Sequence, residues 1–219
     1  MEQPRVSPMG SSALLLQAPG ALDLANQRRI WALARQVAGW PGIREAAPGM
    51  SNLLVIFDSQ SCDPEALQAR LLSIWPTVSD TPEDGRLVEL PVIYGGELGD
   101  DLGLVAGRAG MTPRETAQLH AATDYVVFAP GSAPGFGYLF GLDPRLFTPR
   151  KNEPVMRKQT GTIAIGGIQT SIGAAVGPSG WNAIGCLSEP LVPFDPHRDP
   201  PSVLYPGDRV RFRIEAIVA

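Results

Sequence analysis

Cysteine is scarce in this sequence, and long apolar runs are absent. The 219 residues include two cysteines, Cys62 and Cys186, which lie far apart and belong to no CxxC pair or Cys/His cluster. This spacing argues against a zinc site and favours two free thiols over one disulfide. No stretch approaches the roughly 20 apolar residues of a membrane-spanning helix, and the N-terminal stretch lacks the pattern of a signal peptide. We therefore expect a cytoplasmic protein that has no membrane segment.

Strong charge of either sign is also lacking. Lys and Arg total 18 while Asp and Glu total 22, so the formal net charge is −4. A mildly acidic chain without a basic run is a poor candidate for binding nucleic acid or an anionic membrane. The phosphate-binding pattern GxxxxGK[ST], a dinucleotide-binding GxGxxG after a strand, and the GxSxG of serine hydrolases are missing as well. Three common types of catalytic or nucleotide-binding motif are thereby excluded.

Glycine and proline, in contrast, are abundant, with 24 and 22 residues. They fall between short apolar runs, which is typical of many turns that join short strands. Hydrophobic residues make up 44% of the chain, enough for a globular core. The composition therefore predicts a folded protein rich in strands.

The first part of the chain predicts the order β-α-β-β-α. Asp23 is a candidate N-cap of a helix with apolar residues at helical spacing, and Asp63-Pro64 opens a second helix. The polar, turn-rich stretch Pro76–Gly85 is the expected linker. We therefore predict a small two-layer α/β domain over residues 1–80.

The second part predicts a different architecture over residues 81–219. Pro91 inside an apolar strand indicates an edge or a bulge, and Thr112 with Glu115 forms a capping box at the start of a helix. From residue 124 onward, short strand-like runs alternate with Gly and Pro. This spacing favours an antiparallel β-barrel with helices at its rim, so the predicted fold class of the whole chain is α+β.

The stretch "APGSAPGFGYLFGLDPRLFTPR", residues 129–150, allows two interpretations. It is a structured loop whose Phe136 and Tyr138 cover a core, or it is a ligand-facing loop whose glycines expose backbone N–H groups to an anion. Gln169 and Thr170 bring polar side chains into an otherwise apolar strand pair. Because buried polar groups need partners, these two side chains require an internal partner or a ligand.

Three further features are also ambiguous. His120, near the end of the capped helix, either interacts with the helix dipole or serves in general acid/base catalysis. Trp181, after the turn "GPSG", either fills a core or shapes a ligand site. A basic cluster is either solvated surface or attracts a carboxylate or phosphate. That cluster consists of Arg150, Lys151, Arg157 and Lys158.

Several long motifs in fixed order resemble one family. That family is typified by the B subunit of 5-oxoprolinase, and it is also called KipI or allophanate hydrolase subunit 1, of the carboxyltransferase subdomain C and D type. The resemblance covers most of the chain, from about residue 8 to residue 212. The motifs that carry it are "SNLLVIFD", "ELPVIYGGELGDDLGLVAGRAGMTPRETAQLHAATDYVV", "APGFGYLFGLDPRLFTPR", "GTIAIGGIQTSI", "GPSGWNAIG" and "FDPHRDPPSVLYPGDRVRF".

The resemblance implies a small N-terminal α/β domain and a C-terminal cyclophilin-like β-barrel. It also implies a hydrolase subunit that works in a complex with two companions, one of the KipA type and one of the LamB/YcsF type. Together such proteins use ATP to cleave 5-oxo-L-proline to L-glutamate, with ATP bound mainly by a partner. The alternatives are a KipI-like inhibitor of a sensor histidine kinase and a component of the urea amidolyase type, which acts on allophanate or other urea-derived amides.

The same resemblance assigns site residues and shows two departures from the family pattern. His120 and Gln169 are the implied catalytic residues, and no metal ligand is implied. Ser132 stands where the family commonly has an aromatic residue, and Ser179 stands where it has glycine. Both departures affect the predicted ligand geometry and leave the predicted fold unchanged. The implied substrate-binding residues are Pro134, Gly135, Phe136, Tyr138, Gly166, Thr170 and Trp181.

Overall fold

The computed structural model describes residues 2–81 and 85–218, and the chain divides into two compact units. The units comprise residues 1–83 and 84–219, whereas the sequence-based boundary falls between residues 80 and 81. The predicted linker Pro76–Gly85 begins within a 3-10 turn, Trp75–Thr77, and its residues 82–84 lie outside the described residues. Within the described parts of the chain, no helix is both long and apolar enough to cross a membrane.

The N-terminal unit is a four-stranded antiparallel sheet with two helices. The strand order is β1-β2-β4-β3. Buried leucines and valines alternate along β2 and β4, so that one face of the sheet packs against apolar residues of both helices. The elements in chain order are β1 (Arg5–Pro8), β2 (Ala13–Gln17), α1 (Leu24–Ala38), β3 (Ile43–Pro48), β4 (Asn52–Phe57) and α2 (Pro64–Ile74).

Both helices of this unit begin at the predicted caps. The Asp23 carboxylate accepts the Asn26 N–H, and the Asp63 carboxylate accepts the Glu65 N–H. Strand β1 was not part of the predicted order. Its four residues are too few for an alternation of apolar and polar side chains to distinguish a strand from a loop.

A buried glutamine connects helix α1 to the sheet. Gln27 is fully buried, where its amide donates to the Gly49 carbonyl at 2.9 Å and its carbonyl oxygen accepts the Ser51 N–H at 2.7 Å. These bonds hold the turn between β3 and β4 against α1.

The C-terminal unit is built around a closed barrel of seven strands. The barrel order is β10-β7-β6-β13-β5-β12-β9, and β9 pairs again with β10. Strands β8 and β11 form a separate two-stranded ribbon. The barrel and a smaller sheet with helices confirm the predicted α+β class. The strands are β5 (Leu87–Gly95), β6 (Asp124–Gly131), β7 (Ala133–Phe140), β8 (Val155–Lys158), β9 (Thr162–Gly166), β10 (Gln169–Ile172), β11 (Gly177–Ser179), β12 (Asn182–Leu187) and β13 (Arg209–Val218).

The barrel is not wholly antiparallel, because β5 and β13 pair in parallel. Of the edge or bulge predicted from Pro91, the edge position is wrong, since β5 lies between β12 and β13 inside the barrel, whereas its pairing with β13 does contain a register shift, between Ile214 and Ala216. The ladder with β12 covers Val92–Tyr94 on β5 and stops before Pro91. Proline has no N–H to donate, and it is tolerated at this position because the ladder with β12 has already ended. Its carbonyl still accepts the Ser188 N–H.

Two helices, α3 (Leu102–Ala109) and α4 (Pro113–Ala121), lie between β5 and β6. Helix α4 begins at the predicted capping box, in which Thr112 and Glu115 satisfy each other's backbone N–H groups. The helices pack apolar residues such as Val105 and Ala117 against the interior of the barrel. Both cysteines of the chain are free thiols, as predicted.

The predicted loop interpretation of residues 129–150 is wrong for its central part. Ala133–Phe140 is strand β7, paired with β6 on one side and β10 on the other. The Gly and Pro content concealed this strand. Leu139 points into the core, whereas Phe136 and Tyr138 alternate with it and project from the outer face of the barrel wall.

Candidate functional site

A cleft of about 650 Å³ lies on the outer wall of the barrel. Outward-facing side chains of β7, β9 and β10 form its base, because the residues that alternate with them, such as Ile163 and Leu139, belong to the core. The ribbon of β8 and β11 and the loop before β11 form the opposite side. Such a volume is typical of small-molecule sites.

Three aromatic rings line this cleft and contact one another. Phe136 and Tyr138 meet edge to face with centroids 5.0 Å apart, and Trp181 lies 6.4 Å from Phe136 and 6.1 Å from Tyr138. These separations are within the range of favourable aromatic pairs. The three rings together form an apolar wall on one side of the cleft.

Trp181 is positioned by a glycine. A Cβ atom at Gly166 would lie only 2.4–2.8 Å from three atoms of the indole, so the ring rests directly on the Gly166 backbone. The indole is 8% exposed and still lines the cleft. Glycine is therefore required at position 166 to admit the indole to the barrel wall.

The two residues after Trp181 attach neighbouring segments to the barrel. The buried Asn182 amide donates to the Pro149 carbonyl at 2.9 Å and to the Ile165 carbonyl of β9 at 3.1 Å. The Ala183 N–H donates to the Asp101 carboxylate at 2.8 Å. These bonds are made by the first residues of β12, which therefore organise one end of the cleft.

Positive charge in the cleft comes from three side chains, Arg150, Lys151 and Lys158. The Lys151 ammonium lies 2.7 Å from Asp101, and the Lys158 ammonium lies 3.1 Å from Asp100. The Arg150 guanidinium sits 5.2 Å from the centre of the Trp181 ring, a cation–π arrangement. The two lysines are thus matched by carboxylates, whereas Arg150 has no ion-pair partner within residues 2–81 and 85–218.

His120 is fully buried in the barrel interior and is not among the residues that line the cleft. Its Nδ1 is 2.8 Å from the Tyr94 hydroxyl, and its Nε2 is 2.9 Å from the Thr170 hydroxyl. The ring also stacks on Phe212 with centroids 5.1 Å apart. Burial lowers the pKa of His120 from 6.5 to about 3, so the imidazole is neutral at physiological pH.

The hydrogen bonds fix the tautomer of this neutral ring. The Thr170 hydroxyl is 3.1 Å from the Ala164 carbonyl, which can only accept. Because the hydroxyl donates its single proton there, it accepts from His120 Nε2–H, and Nδ1 accepts from the Tyr94 hydroxyl. Both ring nitrogens are therefore satisfied inside the protein. Thr170 is joined through β10 to Ser171, which lines the cleft.

The structure brings together only some of the predicted site residues. Phe136, Tyr138 and Trp181 line the cleft, and Gly166 lies beneath the indole. Gln169 is buried in register with Gly166 and is not among the lining residues.

The remaining predicted residues lie around the cleft. The Thr170 side chain points inward to His120. Pro134 and Gly135 precede the aromatic part of β7, where Gly135 has φ +77° and a Cβ there would lie 2.6 Å from the Pro193 backbone. Their ligand roles, and those of His120 and Gln169, stay predictions.

Sequence reasoning missed three residues that build the site. Asp101 precedes a helix and resembles an N-cap, yet its carboxylate makes no cap bond and instead contacts Ala183 and Lys151. Asn182 was overlooked at the start of the largely apolar strand β12, and Ser171 was overlooked beside the more conspicuous Gln169 and Thr170 in β10. The available signal was a polar residue next to an apolar run, because such a group needs a partner once the run is buried.

Comparison with known proteins agrees with this architecture. Residues 4–204 match the family described as carboxyltransferase domain, subdomain C and D. The 5-oxoprolinase B subunit of Escherichia coli O157:H7 is 39% identical over 213 residues, which cover 97% of this chain and 96% of the relative. The chain belongs to the family of 5-oxoprolinase B subunits.

Solved structures are also similar to this chain. The crystal structure of TTHA0988 has a TM-score of 0.77 and 34% identity over 92% of this chain, which spans only 39% of the TTHA0988 chain. The urea amidolyase of K. lactis has a TM-score of 0.80 with 21% identity, over 97% of this chain and 15% of that enzyme. At that identity the amidolyase shares the fold alone.

Replacing Gly166 with alanine is expected to displace Trp181. The added methyl group overlaps the indole, so we expect Gly166→Ala to lower the free energy of unfolding by about 1–3 kcal/mol, as overpacked core substitutions do. Urea denaturation followed by circular dichroism measures this change. Gly107→Ala is the matched control, because a Cβ on that exposed helical glycine meets nothing within 4 Å and gains up to about 1 kcal/mol. Equal stability of Gly166→Ala and the native protein would contradict this packing.

Acid is expected to destabilise the protein through His120. The unfolded chain takes up a proton below its ordinary pKa of 6.5, whereas the folded ring stays neutral until about pH 3. The stability is therefore complete above pH 6.5 and falls as the pH decreases, by about 2 kcal/mol at pH 5. Denaturation curves between pH 7.5 and 5 measure the slope.

Imidazole NMR signals provide the direct measurement for the same histidine. The chain has two histidines, and His197→Gln removes the signal of the exposed one, which assigns the remaining signal to His120. The His120 signal is expected to keep its chemical shift from pH 8 to 5. Titration of His120 near pH 6.5 would refute the buried, neutral assignment.

Proposed function

We propose that this chain is part of an ATP-dependent 5-oxoprolinase that hydrolyses 5-oxo-L-proline to L-glutamate. The observation that carries the proposal is the 39% identity, over nearly the full length of both chains, to a protein named as the B subunit of 5-oxoprolinase. That name implies further subunits. The proposed companions are one protein of the KipA type and one of the LamB/YcsF type, and the chain is proposed to be active only with them.

The reaction explains why such a complex consumes ATP. Water adds to the lactam carbonyl carbon, the bond from that carbon to the ring nitrogen breaks, and the nitrogen leaves as the amine of glutamate. Amide resonance makes this bond resistant, so an energy source is needed. Arg150 is the one unmatched cation among the described residues of the cleft, which does not fit a triphosphate, and the sequence has no phosphate-binding loop. We therefore assign ATP to a companion protein.

The contribution of this chain is to hold the lactam in a dry, oriented site. The wall of Phe136, Tyr138 and Trp181 covers an apolar ring and excludes water from it. The Ser171 hydroxyl lies opposite Tyr138 in the strand register and faces the same cleft. Holding reactants in a fixed geometry lowers the entropic part of the activation barrier.

His120 acts at a distance in this proposal. Since both ring nitrogens bond to protein groups, its role is to position Thr170 and thereby β10, rather than to transfer a proton to substrate. If the chain were a kinase inhibitor, the preformed cleft for a small molecule would have no role. The amidolyase alternative depends on a likeness of fold at 21% identity.

Reconstitution of the complex tests the proposal. The chain is co-expressed with the companion proteins encoded beside it, the assembly is purified, and glutamate is measured after addition of 5-oxo-L-proline and ATP. We expect glutamate only from the complete assembly with ATP present, and none when any one component is omitted.

Urea and urea-derived amides serve as comparison substrates for the same assembly, and the purified histidine kinases of the host serve as comparison targets for the chain alone. An intact complex that carboxylates or cleaves urea-derived amides but leaves 5-oxo-L-proline unchanged would replace the proposal with the amidolyase alternative. Inhibition of a kinase by the chain alone, without lactam hydrolysis, would replace it with the inhibitor alternative.

A further inference from the structure

We infer that Arg150 and Trp181 form a subsite for a single carboxylate of a small, ring-shaped substrate. This inference deepens the proposed function, on which it rests for the identity of the substrate. The geometry of the cleft gives the class of ligand, namely a monoanion with a compact apolar body.

The charges in the cleft favour one negative charge on the ligand. Lys151 and Lys158 are neutralised by Asp101 and Asp100, at 2.7 and 3.1 Å. Arg150 is exposed and has neither a carboxylate nor a hydrogen-bond acceptor among the described residues. One uncompensated guanidinium matches a carboxylate, whereas a phosphate group carries more than one negative charge at neutral pH.

The backbone on both sides of Arg150 is held in place before any ligand arrives. The carbonyl of Pro149 accepts the Asn182 amide at 2.9 Å, and the Lys151 N–H donates to the Gly180 carbonyl at 2.7 Å. The residues on both sides of Arg150 are therefore attached to the barrel, and the indole supports the guanidinium. Such preorganisation lowers the entropy lost on binding. A guanidinium presents N–H groups in a planar fork that suits two carboxylate oxygens.

The rest of the cleft suits a compact ring beside that carboxylate. The Trp181 indole touches both the guanidinium and the ring of Tyr138, whose centroid is 6.1 Å away. Ser171 lies beside Tyr138 in the register and offers a hydroxyl that can donate and accept. A ring placed on the aromatic wall thus reaches Arg150 with its carboxylate and Ser171 with an amide. The lactam 5-oxo-L-proline has these parts.

Calorimetric titration of the assembled complex tests the subsite. The probes are 5-oxo-L-proline and its neutral carboxamide, which differ only in the charged group. We expect the native complex to bind the carboxylate about 10- to 100-fold more tightly than the carboxamide, as is typical of a charged hydrogen-bonded pair. Arg150→Gln is expected to remove this preference and to raise the KM for 5-oxo-L-proline by a similar factor.

The control is Arg157→Gln, which removes the same charge from β8 at an exposed position that does not line the cleft. It is expected to keep the native preference. Unchanged carboxylate binding in Arg150→Gln, or equal losses in both variants, would overturn the subsite. Because Arg150 is exposed, its replacement leaves the folded state intact, and thermal unfolding verifies this.

The failure of the subsite and the failure of the proposed function have different signatures. If the complex makes glutamate and Arg150→Gln retains its KM, the subsite is wrong and the function stands. If 5-oxo-L-proline neither binds nor reacts, then 2-furoate and cyclopentanecarboxylate are titrated in its place. Binding of these that depends on Arg150 upholds the carboxylate subsite and rejects the substrate, whereas no such binding rejects both. Inorganic phosphate that binds more tightly than any carboxylate would overturn the subsite.

Discussion

The packing of the Trp181 indole on the Gly166 backbone is the constraint on which the cleft depends. Without a side chain at position 166, the indole reaches the barrel wall and presents one surface to the cleft. The ring then contacts Phe136, Tyr138 and Arg150, so one large side chain links the aromatic wall to the cation. The next residues of β12 extend this arrangement, because Asn182 attaches Pro149 to the barrel and Ala183 attaches Asp101. The turn that ends at Trp181 and the first residues of β12 therefore determine both the shape and the charge of the cleft.

The two faces of strand β10 have different surroundings. On the inner face, Thr170 completes a chain of hydrogen bonds with His120 and Tyr94 in the fully buried core. On the outer face, Ser171 lines the cleft. Burial holds the pKa of His120 far below its ordinary value, so this histidine is neutral in the core. The catalytic role predicted for it from sequence stays a prediction, and in the proposed function it is a positioning residue behind the site.

Much of the fold was predictable because local signals were strong. Asp23, Asp63 and Thr112 each begin a helix through a side-chain cap, and the strands after residue 160 alternate with glycine and proline as barrel strands do. Strand β7 was missed because its own glycines and proline resemble a loop, and only its partners β6 and β10 make it a strand. The parallel pairing of β5 with β13 joins distant parts of the chain, which no local pattern specifies. Asp101 and Asn182 were not predicted for the same reason, because their partners are distant in sequence. The aromatic residues of the site, in contrast, were predicted.

A crystal structure of the assembled complex with 5-oxo-L-proline is the most direct measurement of the central claim. The account predicts the lactam ring against Phe136, Tyr138 and Trp181, with its carboxylate on the Arg150 guanidinium. A substrate bound at another site, with this cleft filled by solvent or covered by a companion protein, would contradict it.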